Sequence, residues 1–290
     1  KSTEILDVLK RWGADTELIT YADVMRDGLT LRDGPALIDV TGLAKPVIFY
    51  AVRHGLRTAG AVLVAHTQAK SYYPTDTDMK ALLKAEEQHN RQKFFDTLSG
   101  ILTGEIGPYQ CIPLLQADAD ETRRNVLFAF ASPKHERLLS LIDNRVIDRL
   151  EVVAPEGSSA RNRVAKQIAE IAATDSASGD VTYIDSDDLE KTTEFLQRGF
   201  AQWYVRQGFN FEIGLTGSKM EAVAAAAISA DCKVTQCWYV RPAKFDAARF
   251  TKGAGDTRYF RLGVDGEARG EIALPPPVVE PPKDRPHPRK

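Results

Sequence analysis

From residue 125 to residue 240 the chain alternates apolar strands with helix-forming stretches, and this order leaves few folds open. Val126 to Ala131 is one unbroken apolar run. Arg149–Ala154, Asp180–Asp185, Phe211–Leu215 and Lys233–Val240 follow as further strand candidates. Helical patterns lie between them, over Lys134–Asn144, Ala160–Ala173, Ser186–Gln207 and Ser218 to about Ala230. Strands without polar alternation are the kind buried on both faces. Each is followed by a helix, so the pattern predicts a parallel sheet covered on both sides.

A related order recurs upstream. Residues 2–13 carry Ile5, Leu6, Leu9 and Trp12 at helical spacing and stop at Gly13. Glu17–Tyr21 is expected as a short strand, and Asp23–Pro35 as a loop or short helix. Ala36–Val40 is a strand, Thr41-Gly42 a turn, and Lys45–Gly60 a helix with Pro46 in its first turn, where a missing N–H costs nothing. Ala61–Ala65 is the next strand. Laid on residues 160–244, residues 2–70 give a corresponding succession of elements with a second Thr-Gly turn at Thr216-Gly217. The expected fold is therefore α/β, with two Rossmann-like parallel-sheet units, the first truncated. They are joined by a long helix over 78–100. The expected division is a first unit over 1–105, a complete second unit over 106–274, and a Pro-rich tail over 275–290. Gln110–Leu115 is a further strand, and Gln116–Arg124 a charged loop or hairpin turn. Thr257–Leu262 and Glu271–Leu274 are expected as edge strands. The tail holds seven of the 15 prolines, so it is expected to be extended rather than part of a core.

No apolar run approaches the roughly 18 residues of a membrane helix. A net charge of −2 gives no bulk attraction to nucleic acid or an anionic membrane. Cys111, Cys232 and Cys237 form no Cys-x-x-Cys pair, which points to a reducing, cytoplasmic setting without a zinc site. No signal peptide is visible, and the chain opens without methionine in what reads as mid-helix. That suggests a fragment or mature segment of something larger.

Ligands of an open α/β sheet bind beyond the carboxyl ends of the strands. Ser132, Lys134, His135 and Arg137 fall at that edge, as do Ser158 and Asn162, and Thr216, Gly217, Ser218 and Lys219. The first unit brings Thr41, Gly42, Lys45 and His66. Thr-Gly-Ser-Lys suits phosphate, with hydroxyl and ammonium donors beside a helix N-terminus. Thr216 and Ser218 equally suit plain helix caps. His135 and Lys219 are candidate acid–base or catalytic groups. Tyr72 and Tyr73 could stack on bases or simply cover the sheet edge. The run Asp185–Asp188 reads as a helix start rather than a metal site. Neither a P-loop nor Gly-x-Gly-x-x-Gly is present, so no dinucleotide cofactor is expected.

The stretch Thr216-Gly217-Ser218-Lys219-Met220, at a strand end and before a small-residue helix, resembles the signature turn of CRISPR-associated Rossmann-fold (CARF) domains. It has one glycine fewer than their usual turn. The upstream turn is further off, with Leu43-Ala44 before Lys45. Two units in one chain are also similar to the SAVED sensors. The resemblance implies a sensor of a phosphate-bearing, even cyclic, oligonucleotide in bacterial antiviral defence, signalling to an effector domain or partner protein. Relatives that degrade their own messenger leave an enzyme reading open, and a non-catalytic scaffold is the third. Homo-oligomerisation is left open.

Overall fold

The structure, a computed structural model, describes residues 11, 15–29, 32, 34, 36–86, 91–102, 104–117, 119–185, 187–246, 249–263 and 270–272. The chain divides into two compact units, Lys1–Gly28 with Ala273–Lys290, and Leu29–Ile272. In the first, Thr20 caps helix α1 (Tyr21–Asp27). The Asp23 N–H donates to the Thr20 hydroxyl at 3.2 Å, and the Asp23 carboxylate accepts from the Thr20 N–H at 3.1 Å. This reciprocal cap starts a helix mainly within the loop or short helix expected from Asp23, and the strand expected over Glu17–Tyr21 does not form. The helix expected over 2–13 lies, apart from Arg11, outside the described residues, as does the Pro-rich tail.

The second unit carries two sheets. The larger holds β3 (Glu105–Gln116), β4 (Asn125–Phe130), β5 (Arg149–Pro155), β6 (Gly179–Ile184), β7 (Asn210–Gly214) and β8 (Gln236–Phe245), in the order β3-β8-β7-β4-β5-β6. Strands β4 to β8 run parallel, as the alternation predicts, and β3 is antiparallel to β8. β3 and β4 are not neighbours, so 116–124 is a crossing loop and not a hairpin turn. The smaller sheet pairs β1 (Ala36–Asp39) in parallel with β2 (Ala61–Tyr72). It then adds β9 (Thr251–Gly263) and β10 (Gly270–Ile272), both antiparallel to their partners. It is thus a mixed sheet and not a truncated parallel one. The 106–274 segment also supplies two of its strands. β2 runs seven residues past Ala65 because β9 pairs with it as far as Tyr72.

Helices α2 (Lys45–Ala59) and α8 (Lys219–Asp231) each connect a Thr-Gly turn to the next strand. The single helix expected over 78–100 is two, α3 (Asp76–Glu86) and α4 (Arg91–Ile101). α5 (His135–Asp143), α6 (Ala160–Asp175) and α7 (Leu189–Gly199) complete the large sheet's connections. Asp188 caps α7, accepting from Lys191 N–H at 3.0 Å, and a π-helical stretch over Phe200–Arg206 follows. Ser132 does not cap α5: the N-cap is Lys134, without a side-chain cap bond.

α8 is buried from Met220 through Ser229. A helix apolar on every side needs cover on every side. Here α2 and α7 both pack on it. From α2, Arg53 donates to the Ser229 carbonyl at 3.2 Å and Tyr50 to the Leu114 carbonyl at 3.0 Å.

The order reverses between β4 and β7, which puts the crevice expected of an open sheet outside their carboxyl ends. Buried Thr216 ties those ends together. Its hydroxyl donates to the Phe130 carbonyl at 2.7 Å and accepts from the Phe130 N–H at 3.0 Å. Thr216→Val strands both backbone groups, so it should lower unfolding free energy by about 2 kcal/mol. Equilibrium urea denaturation measures this, and a loss within error of zero would show that water replaces the hydroxyl.

Candidate functional site

The two Thr-Gly turns meet at one place. The Lys45 ammonium donates to the Leu215 carbonyl at 2.9 Å. The Lys219 ammonium donates to the Val40 carbonyl at 3.1 Å and also to that of Thr41. Leu215 and Val40 each immediately precede their Thr-Gly pair, so the exchange is reciprocal. The threonines correspond as well. Thr216 bonds to the end of β4, and the Thr41 hydroxyl accepts from Thr67 N–H on β2 at 2.9 Å. Both hydroxyls therefore serve the neighbouring strand.

The two helix starts differ. Ser218 caps α8 and accepts from Glu221 N–H at 3.2 Å, while the Glu221 carboxylate accepts from Ser218 N–H. Gly217 is required by this arrangement. A Cβ there would stand 1.8 Å from a Glu221 carboxylate oxygen and 2.7 Å from Phe130 Cβ. The chain's own anion thus occupies the start of α8. α2 starts at Ala44 with no side-chain cap. Gly42 is exposed, with open space where a Cβ would go.

Behind the turns lies a group of ionisable side chains. Arg137 grips Glu105 with two bonds, Nε to Oε2 at 2.8 Å and Nη2 to Oε1 at 2.5 Å. Lys134 Nζ reaches the same carboxylate at 3.1 Å. Burial works to raise Glu105, but Arg137 and then Lys134 outweigh it and hold its carboxyl below the usual range. Burial pushes Lys134 down to about 7, against the pull of Glu105. Lys45 is held well below the usual lysine range, first by burial and then by the charge of Arg137, with Glu221 and Glu105 opposing. Burial pushes Glu221 up to about 7, although Lys45 and the Ser218 bonds draw it down. Lys45, Lys134 and Arg137 thus share one electrostatic neighbourhood with Glu105 and Glu221. Burial also lowers Lys219, which Asp39 partly offsets.

Other expected site residues lie apart from this group. Asn162 N–H donates to Ser159 Oγ at 3.1 Å and its side-chain amide to the Glu156 carbonyl, so it closes the start of α6. Ser158 is exposed in that loop, and Ser132 is half-buried after β4. His135 is 3% exposed, packs on Phe95 and lies 3.4 Å from Ser99 Oγ. Burial holds both His135 and His66 below the usual imidazole range. Within the acidic run Asp188 caps α7, while Asp187 accepts from Gln68 at 2.7 Å and pairs with Arg258 at 3.9 Å, tying that helix start to β2 and β9.

A cavity of about 270 Å³ opens at the same sheet edge. Lys134 lines it together with Glu105, Glu136, Tyr73, Tyr109 and Phe250. Neither Thr-Gly turn lines it. The sequence reading missed Glu105, Tyr109, Glu136, Arg249, Phe250 and Glu221. Only Glu221 had a visible signal, the Ser-x-x-Glu capping box at 218–221. Among the described residues no group of three or more His, Cys, Asp or Glu is placed to hold a metal ion, and no helix is long and apolar enough to cross a membrane.

No protein-family model matches this chain, and no curated protein matches it significantly. The residues define the site class as a carboxyl-edge cluster of lysines and arginine on an α/β fold.

Glu221 makes the turn pH-sensitive. Its folded value near 7 exceeds its ordinary 4.5, so the folded chain holds that proton more tightly. The resulting stability is fully present below about 4.5 and is lost as pH rises through about 7. Burial-depressed Lys134 and Lys45 act in the opposite sense in both proteins, so between pH 5 and pH 8 the melting temperature should change in the falling direction more in this chain than in Glu221→Gln. An equal change in both proteins would show that Glu221 does not titrate there.

Proposed function

We propose that this chain is a nucleotide sensor whose ligand phosphate binds where the Thr41-Gly42 and Thr216-Gly217 turns meet. The observation that carries this reading is the reciprocal hold of Lys45 and Lys219 on backbone carbonyls. Their partners are neutral. An ammonium already makes a charge-assisted bond to a carbonyl, and a phosphate adds the attraction of a full opposite charge, which makes it the better acceptor for both lysines. The start of α2 beside Lys45 has no side-chain cap, whereas the start of α8 already has Glu221.

Occupancy would take the lysines from their carbonyls and loosen the junction between the sheets. That is a way to pass a signal to an effector domain or partner protein. The likeness of 216–220 to the CARF turn supports a regulatory role in antiviral defence. Catalysis is less well supported. His135 is buried against Phe95, and Lys219 is held by backbone carbonyls.

A thermal-shift series tests the reading with inorganic phosphate, mononucleotides, and linear and cyclic oligonucleotides. A ligand present at about 100 times its Kd stabilises by about 2.7 kcal/mol, or on the order of 5 °C for a chain of this size. Lys45→Met and Lys219→Met keep most of the apolar stem, and each should at least halve the shift. A nucleotide shift unchanged in both variants would overturn the assignment.

A further inference from the structure

We propose that the cavity beside Lys134 is a nucleobase subsite that favours guanine. The inference rests on the nucleotide reading above for its ligand class, but it stands on different residues. At about 270 Å³ the cavity lies near the small end of small-ligand clefts, roughly 300–1,000 Å³. That suits one nucleoside rather than a dinucleotide.

The walls supply stacking surface. Tyr73 and Pro74, from the Lys-Ser-Tyr-Tyr-Pro stretch at the end of β2, lie on one side, and Tyr109 of β3 also lines the cavity. Tyr73 is 37% exposed, so its ring is open to a ligand. Its neighbour Tyr72 differs: the Arg161 guanidinium lies 5.5 Å from the centre of that ring. Only one of the two tyrosines flagged by the sequence therefore lines the cavity.

The polar groups select the base. Glu105 is nearly saturated by three donors from Arg137 and Lys134. Asp78 takes the Thr75 N–H at 2.8 Å and the Thr75 hydroxyl at 2.7 Å on the same oxygen, Oδ2, so its Oδ1 is a further acceptor at the cavity wall. Glu136 also keeps spare capacity. The Tyr109 hydroxyl donates to one of its oxygens and Ser99 Oγ to the other at 3.3 Å. An ionised carboxylate has about four acceptor sites. These two bonds fix its orientation while leaving lone pairs for a ligand. Lys134 gives one N–H to Glu105 and rests over the Phe250 ring, leaving a further donor.

A carboxylate accepts well from two adjacent donors, and guanine presents N1–H and N2–H₂ side by side. Adenine presents an acceptor at N1, which a carboxylate repels. On its other edge guanine offers O6 and N7 as acceptors, the usual partners of a lysine or arginine. Lys134 also depresses the pKa of Lys45, so the cavity and the proposed phosphate group share one electrostatic neighbourhood.

The test is calorimetric titration of the chain with guanosine and with adenosine, neither of which carries phosphate. Guanosine should bind at least tenfold more tightly. Glu136→Gln should erase that preference while leaving adenosine within about twofold. Tyr73→Leu, at a partly exposed position, should weaken guanosine about tenfold, in line with the loss of one base–aromatic stack. Unfolding midpoints confirm that both variants fold. Equal binding of the two nucleosides, or a preference that survives Glu136→Gln, overturns the subsite. So does absence of guanosine binding. If nucleotides still stabilise the chain through Lys45 and Lys219 in that case, the phosphate reading survives without the base subsite.

Discussion

Two ammonium groups, each resting on the backbone of the opposite turn, join the small sheet to the large one. A hydrogen bond from a charged donor contributes roughly 1.5–3 kcal/mol, but only where burying the charge does not cost more. The packing of α2 on α8 provides the setting. Alanine and small apolar residues along α8 let α2 approach, and that approach brings Lys45 to Leu215 and Lys219 to Val40. If the two helices separated, each lysine would lose its acceptors. The apolar contact and the polar exchange therefore depend on each other.

The correspondence between the halves is close at the hydrogen-bond level and breaks at the helix starts. Both turns use a threonine to hold the neighbouring strand and a lysine to hold the opposite turn. Only α8 has a carboxylate folded back on its own start. Glu221 requires glycine at 217, whereas 42 has open space. The asymmetry leaves one helix start internally neutralised and the other without a side-chain partner. An anion meeting this surface encounters two unlike halves of a similar frame.

Much of the large sheet was legible in the sequence for a physical reason. Val126–Ala131 is covered on both faces and is apolar without interruption, and Phe211–Leu215 is broken only by Glu212, buried against Arg145 and Trp238, so the pattern is hard to mistake. β9 was only partly legible. Its first six residues are exposed and include Gly253 and Gly255, and Phe260 and Leu262 are among the few that reach the core. At the site, the sequence placed Lys45 and Lys219 at one edge. It could not show that their acceptors were carbonyls some 170 positions away. Glu105 had no local signal, because a buried acid is explained only by the Arg137 and Lys134 that surround it. The strand expected at Glu17–Tyr21 gave way to Thr20 and Asp23, whose mutual bonds favour a helix start.

The pairing of β2 with β9 has a consequence for how the chain is made. β2 ends at Tyr72, and the strand beside it begins at Thr251. During synthesis the small sheet has only β1 and β2 until every strand of the large sheet has emerged. Such long loops are slow to close, and an unpaired strand edge invites wrong partners. β2 is twelve residues long, so its open edge is a long one. The large sheet is the part able to form first. It can hold α2 against α8 while β2 waits, so the surface that joins the two sheets also serves as the template on which the smaller is completed.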